Sequence, residues 1–253
     1  MKLRLALLAA TALALTAPAT AAPAPAYVAA AVSNADRSAD EVARDANRKP
    51  ADMVAFAGIK PGDKVVDLVP GKDSYFTHIF ANVVGKDGRV YSFMPTELDA
   101  MLAKRKPPVT LPPDGTVDPK WPNVTFVHHS LTALNLPEKV DVVWTSQNYH
   151  DFHDKFMGPV DMAAYNKAVF DALKPGGTYI VLDHAAPGAG PEVTETLHRI
   201  NPDVVKKEVE AAGFKFVSED DSLKNPADDH SKNVFDPSIR GKTDQFVYKF
   251  TKP

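Results

Sequence analysis

The stretch Val65-Val66-Asp67-Leu68-Val69-Pro70-Gly71-Lys72-Asp73-Ser74-Tyr75-Phe76 reads as a buried strand, a tight loop and the opening turn of a helix. A run as apolar as Val65-Val66-Asp67-Leu68, broken by one acid, suits a strand covered on both faces. Glycine in the loop permits positive φ and a close approach of backbone to a ligand. The helix that follows offers an N-terminus that favours negative groups. A strand leaving through so short a loop into a helix constrains the fold to layers of helix on a mainly parallel sheet.

The rest of the chain repeats that alternation. Strands are predicted at Lys64–Leu68, Arg89–Phe93, Val124–His128, Val140–Thr145, Thr178–Asp183, Lys215–Ser218 and Gln245–Thr251. Helices are predicted over Ser38–Asn47, where Ser38 and Glu41 form a capping box, and over Pro50 to Gly58. Further helices are expected at Ser74–Val83, Thr96–Lys106, Met162–Leu173 and Asp203–Ala212. Residues 107–122 carry six prolines and no apolar periodicity, which predicts an irregular loop. The expected architecture is α/β: a doubly wound, mainly parallel seven-stranded sheet. Ligands of such sheets bind beyond the carboxyl ends of the strands. That rule selects Asp67–Ser74, Phe93–Glu97, Ser146–His153 and His184–Gly190 as the walls of one cleft.

The N-terminus addresses the compartment. Lys2 and Arg4 precede an apolar run from Leu5 to Leu15, and Ala19-Thr20-Ala21 offers small residues for cleavage. This is the pattern of a secretory signal peptide over residues 1–21, so a periplasmic or secreted protein is expected. Loss of Lys2 and Arg4 would move the formal charge from −3 to about −5. With no basic excess, nucleic acid is not an expected partner. No later segment is apolar enough over a bilayer's span to be an integral membrane helix. The chain has no cysteine, which excludes disulfides and thiolate metal ligands. Residues 22–36 are rich in Ala and Pro and read as a flexible lead-in to a single domain over residues 37–253.

Three segments carry a family resemblance: Val66-Asp67-Leu68-Val69-Pro70-Gly71, Ser146-Gln147-Asn148-Tyr149-His150-Asp151 and Leu173-Lys174-Pro175-Gly176-Gly177. With Ala211-Ala212-Gly213-Phe214 and a closing antiparallel strand, they resemble class I methyltransferases dependent on S-adenosylmethionine (SAM). More narrowly, the chain is similar to a family of predicted secreted bacterial methyltransferases. The resemblance implies a Rossmann-like methyltransferase fold, SAM as cofactor and a small-molecule substrate. It implies cofactor contacts from Asp67, Val69, Gly71, Asp73, Tyr75, Met94, Gln147 and Asn148. Two of these depart from the family pattern. Gly71 is the lone glycine of its loop, and Met94 stands where an acid usually accepts hydrogen bonds from the ribose. Glu97, three residues on, has an alternative role as a helix-capping partner.

Chemistry is expected from the later strand ends. His150 is the candidate general base, helped by Asp151, with His184 and Arg199 positioning substrate. Arg199 offers a bidentate fork for a carboxylate or phosphate. The loop spacing of His150 and His153 also suits a metal clip, but no metal site is assigned. Asp228, Asp229 and His230 lie in a long loop that can close over the cleft. A second reading remains open: a protein of this fold that no longer transfers methyl groups. It would bind a ligand or use the His/Asp cluster for other chemistry, metal chemistry included.

Overall fold

A computed structural model describes residues 23–71, 73–158, 160–188 and 193–253 of the protein. The predicted signal peptide over residues 1–21, Lys72 and the end of the His184–Gly190 segment lie outside the described residues. In chain order the elements are α1 (Ala26–Val32), α2 (Ala39–Val42), α3 (Asp45–Arg48), α4 (Pro50–Ala57), β1 (Lys64–Leu68), α5 (Tyr75–Val84) and β2 (Arg89–Phe93). Then follow α6 (Asp99–Lys104), β3 (Val124–Val127), β4 (Val140–Ser146), α7 (Met162–Ala172), β5 (Leu173–His184), α8 (Thr194–Leu197), α9 (Pro202–Ala211), β6 (Lys215–Asp220) and β7 (Gln245–Thr251).

The strands form a seven-stranded sheet in the order β3-β2-β1-β4-β5-β7-β6. All neighbours pair in parallel except β7, which runs antiparallel to both β5 and β6. The order reverses between β1 and β4, so the loops after these two strands flank the switch point where such sheets bind ligands. Alternation along the strands builds two cores. Val66, Leu68 and Phe93 face Tyr165 and Val169 of α7, while Val65, Val90 and Trp144 face Met53 of α4 and Ile79 and Phe80 of α5. Apolar side chains of this kind each contribute about 1.5–3 kcal/mol when fully buried. Among the described residues, no helix is long and apolar enough to cross a membrane.

Two N-terminal expectations are corrected. The flexible lead-in is a helix over Ala26–Val32, because Val28 and Ala31 find buried seats in the core shared with α4 and α5. The helix expected over Ser38–Asn47 is broken into α2 and α3. Its capping box forms as predicted: Ser38 Oγ accepts from Glu41 N at 3.2 Å, and Glu41 accepts from Ser38 N at 2.7 Å. The break lets Asp45 pair with Arg37 at 2.6 Å and accept the Tyr75 hydroxyl at 2.6 Å.

The Leu173–Gly177 signature opens β5 with a register jump: Val140 pairs with Leu173 and Val142 with Thr178, so Lys174–Gly177 turn out of the ladder, with Gly176 at φ +75°, before the continuous strand from Thr178. Gly177 is required there, because a Cβ would sit 2.8 Å from the carbonyl oxygen of Lys174. Residues 107–122 are irregular as expected, tied to β3 by a bridge between Val117 and Thr125.

Candidate active site

The β1 loop is built from strained backbone. Val69 holds φ +52°, Gly71 φ +73° and Ser74 φ +46°. A β-branched residue in the left-handed region is an outlier that its surroundings must enforce. Here the Val69 amide donates to Phe93 O at 2.8 Å, and its carbonyl accepts from Asn148 Nδ2 at 3.1 Å. Asp67 is buried behind the loop and accepts from Thr77 Oγ1 at 2.6 Å. Burial pushes its carboxyl up to about 7, against the Thr77 hydrogen bond and the nearby Arg48 guanidinium.

Three cavities meet at Val69. The largest, about 510 Å³, is lined by Gly71, Ser92, Met94, Asp118 and the apolar faces of α6 and the 107–122 loop. A second, about 290 Å³, lies under the β4 and β5 loops and takes in Gln147, Asn148, His150, Asp151, His184 and His198. A third, about 130 Å³, lies between Asp67, Arg48, Ser146, Gln147 and Asn148. Gln147, at φ +61°, donates to Gln245 at 3.0 Å and accepts from Arg48 at 3.3 Å.

The β4 and β5 ends supply the titratable groups. His150 is buried. Its amide donates to Asp183 Oδ2 at 2.9 Å, its Nδ1 lies 2.8 Å from Asp183 Oδ1, and its Nε2 lies 3.1 Å from Asp151 Oδ1. Burial pulls the imidazole pKa down, but Asp183 and Asp151 together outweigh it and hold the group up at about 10. His150 is therefore clamped between two carboxylates that favour its protonated form, rather than standing free in the loop. His184 is the reverse. Burial, reinforced by the positive charge of His150, Arg199 and Arg48, overcomes Asp183 and pushes it down to about 3. It stays neutral, with Nδ1 2.8 Å from Thr243 Oγ1. His198 completes the group, with Nδ1 3.5 Å from Asp151 Oδ1.

The structure brings together His150, Asp151 and His184, and Asp67, Val69, Gly71, Met94, Gln147 and Asn148 line the cavities. Three expected site residues do other work. Arg199 is fully buried: it pairs with Asp228 at 2.9 Å and donates to the carbonyls of Ala185 and Lys232. That network pins the 222–243 loop, which brings Val234 and Phe235 over the 290 Å³ cavity, so no fork is left for substrate. Tyr75 is buried against Asp45 and stacked by Arg37, Arg44 and Arg48 with guanidinium-to-ring distances of 4.9–5.2 Å. Asp73 is exposed, 3.4 Å from Arg44. Glu97 takes neither of its two anticipated roles in full: it accepts from Ser130 Oγ and Leu131 N and so anchors the loop after β3. His153 turns away to Glu208 at 3.3 Å, so the alternative clip with His150 does not form.

Three groups at the site escaped the sequence pattern. Asp183 ends a predicted strand and so faces the cleft, but no sequence signal announces its contact with His150. Arg48 follows Arg44 at a spacing of four, a signal that the two share a helix face. Asp118 sits in the Pro-rich loop with no periodic signal, yet it is the carboxylate among the described residues lining the 510 Å³ cavity.

No family model matches the sequence, and no curated protein sequence matches it. Solved structures do. The chain is similar to a SAM-dependent methyltransferase from Aquifex aeolicus, at 16% identity and a TM-score of 0.54, over 83% of this chain and 98% of that one. It is also similar to CrArsM, an arsenic(III) SAM methyltransferase from Chlamydomonas reinhardtii, at 17% identity and a TM-score of 0.51, over 91% of this chain and 74% of that one. A third likeness is the [4+2]-cyclase SpnF, at 14% identity and a TM-score of 0.52, over 87% of this chain and 84% of that one. A cyclase on the same scaffold fits the general rule that a fold does not dictate its chemistry. With the β3-β2-β1-β4-β5-β7-β6 sheet and its antiparallel β7, these likenesses identify the fold as that of the class I methyltransferases.

Proposed function

We propose that this protein is an exported SAM-dependent methyltransferase acting on a small molecule. The observation that carries this reading is the junction at Val69, where the 510 Å³, 290 Å³ and 130 Å³ cavities share a wall. A two-substrate transfer needs two compartments that touch, with the reacting atoms held together. The largest cavity lies within the range of about 300–1,000 Å³ usual for small-molecule sites.

The residues present fit the cofactor. Ser146 Oγ is buried without a hydrogen-bond partner, on the wall of the 130 Å³ cavity. Arg48, on the same wall, makes one side-chain hydrogen bond, to Gln147. Together they would hold the amino-acid end of SAM, and Asp118 would serve the ribose hydroxyls in place of the acid absent at Met94. When bound, SAM supplies an electrophilic methyl group on sulfonium. The acceptor would occupy the 290 Å³ cavity. There His184 would take the proton released by the reacting O–H or N–H, the Asp183 carboxylate would balance the imidazolium that forms, and His150 and Asp151 on the same wall would orient the acceptor.

Calorimetry with SAM and S-adenosylhomocysteine tests the reading. Binding of both is expected, with at least a tenfold loss in Arg48→Ala. No binding of either by folded protein overturns it and leaves a ligand-binding protein of this fold, the reading favoured by Met94. Export is tested by N-terminal sequencing of protein from the cell envelope. Ala22 is the expected first residue, and an intact leader on a cytosolic protein defeats this part.

A further inference from the structure

We propose that His150, Asp151 and His198 bind a divalent transition-metal ion, zinc by preference, at the edge of the 290 Å³ cavity. One ligand atom from each of the three lies within 4.8 Å of the others. Two of the edges are short: His150 Nε2 to Asp151 Oδ1 is 3.1 Å, and Asp151 Oδ1 to His198 Nδ1 is 3.5 Å. Tetrahedral zinc with bonds of about 2.0–2.1 Å needs ligand-to-ligand edges of roughly 3.3 Å. Closing the remaining gap takes a small movement of the half-exposed His198 ring.

Orientation supports the site as much as distance. Metal-binding histidines usually donate their second nitrogen to a carboxylate, which fixes the tautomer and strengthens the ligand. Asp183 does this for His150, accepting at Nδ1 and at the backbone amide, so Nε2 faces Asp151. Asp183 also accepts from the His184 amide at 2.7 Å, which locks the carboxylate itself. His198 is set by its backbone. It caps α8 at φ +51°, and its ring packs edge-on against Phe235 at 5.0 Å and against His150 at 5.5 Å.

The donor set selects the ion. Two imidazoles and one carboxylate suit zinc and its neighbours, not magnesium or calcium, which prefer oxygen ligands. A 2+ ion on Nε2 would take the place of the proton His150 shares with Asp151 and would answer the two carboxylates, Asp151 and Asp183, that flank the ring. All three ligands line a cavity shared with Gln147, Asn148 and His184, so a fourth coordination position opens toward whatever occupies it. Three protein ligands and one open position is the pattern of a catalytic rather than a structural zinc site. This site differs from the His150–His153 clip, because His153 faces Glu208. It stands whether or not the protein uses SAM.

The experiment is zinc titration of protein expressed without a histidine tag and stripped with a chelator, followed by calorimetry and elemental analysis. One zinc per chain, bound at micromolar or tighter affinity, is expected. His198→Ala and Asp151→Ala should each lose at least tenfold, and Asp183→Asn, a positioning change, about 10–100-fold. His153→Ala should bind as the parent does. Circular dichroism checks that each variant is folded; His198→Ala, at a half-exposed position, keeps the test decisive if His150 variants fail to fold. Absence of stoichiometric zinc in folded parent protein, or zinc binding indifferent to His198→Ala, overturns the proposal and leaves a cluster bridged by protons alone.

Discussion

The loop after β1 and the cluster after β4 and β5 face the same cleft but are made in opposite ways. The first is shaped by backbone: Val69, Gly71 and Ser74 all hold positive φ, and the polar contact across it is the carbonyl of Val69 taken by Asn148. The second is shaped by side chains: Asp183, His150, Asp151 and His198 form one chain of contacts, each 2.8–3.5 Å long. A backbone-built wall discriminates by shape, and a wall of interlocked charges acts on electrons and protons. The cleft thus separates holding from reacting, with Val69 between them.

The largest effect should come from unfastening the reactive half. Arg199→Met leaves Asp228 buried without its cation, and removing one partner of such a pair costs about 3–5 kcal/mol. Urea unfolding is the measurement. A loss below about 1 kcal/mol would mean that the 222–243 loop is held by something other than Arg199.

A smaller effect, opposite in sign, is expected behind the shaping half. Asp67 titrates at about 7 when folded, well above an ordinary carboxyl, so the folded state binds its proton more tightly than the unfolded chain. Stability from this group is fully present below about pH 4 and is lost as pH rises toward 7. Asp67→Asn should therefore match the parent near pH 4 and exceed it at pH 8 by roughly 2–4 kcal/mol. Equal stability at both pH values would show that Asp67 is already well compensated as an anion.

The smallest of the three sharpens the contrast in backbone. Gly71→Ala meets no atom within 4 Å but must hold φ +73°. It should cost about 1–2 kcal/mol, read by the same unfolding curves. No loss would mean that the loop relaxes freely and that its strain does not define the cofactor wall.

Much of the scaffold was legible because local signals agreed. Val65–Leu68 and Arg89–Phe93 are short, mainly apolar segments between turn residues, and the predicted strand bounds match β1 and β2. Pro50 and Gly58 frame α4 as their conformational preferences require. The cleft was found for a topological reason: loops at the carboxyl ends of parallel strands must converge. Partners within it were harder. His150 and Asp183 lie 33 positions apart, and nothing in either segment announces the other. The same gap explains the two misreadings of charge. Arg199 looked available because Asp228 could not be placed beside it, and His150 looked like a base because its two carboxylates were not known to converge on it. The lead-in was misread because small residues such as Ala31 suit a tight helical contact as well as a linker.

The position of β7 has a consequence in time. It is the last strand to be synthesised, yet it inserts between β5 and β6 and, just ahead of it, Thr243 holds His184. Domains fold as units, and until β7 arrives the five parallel strands β3-β2-β1-β4-β5 can pair while β6 has no partner in the sheet. A chain made through β6 but not β7 leaves the edges of β5 and β6 bare, the kind of surface that recruits strands from other chains. Aggregation during synthesis, rather than loss of the finished fold, is thus the hazard that shadows this topology, and ligand capture belongs to the moment after the last strand has closed the sheet.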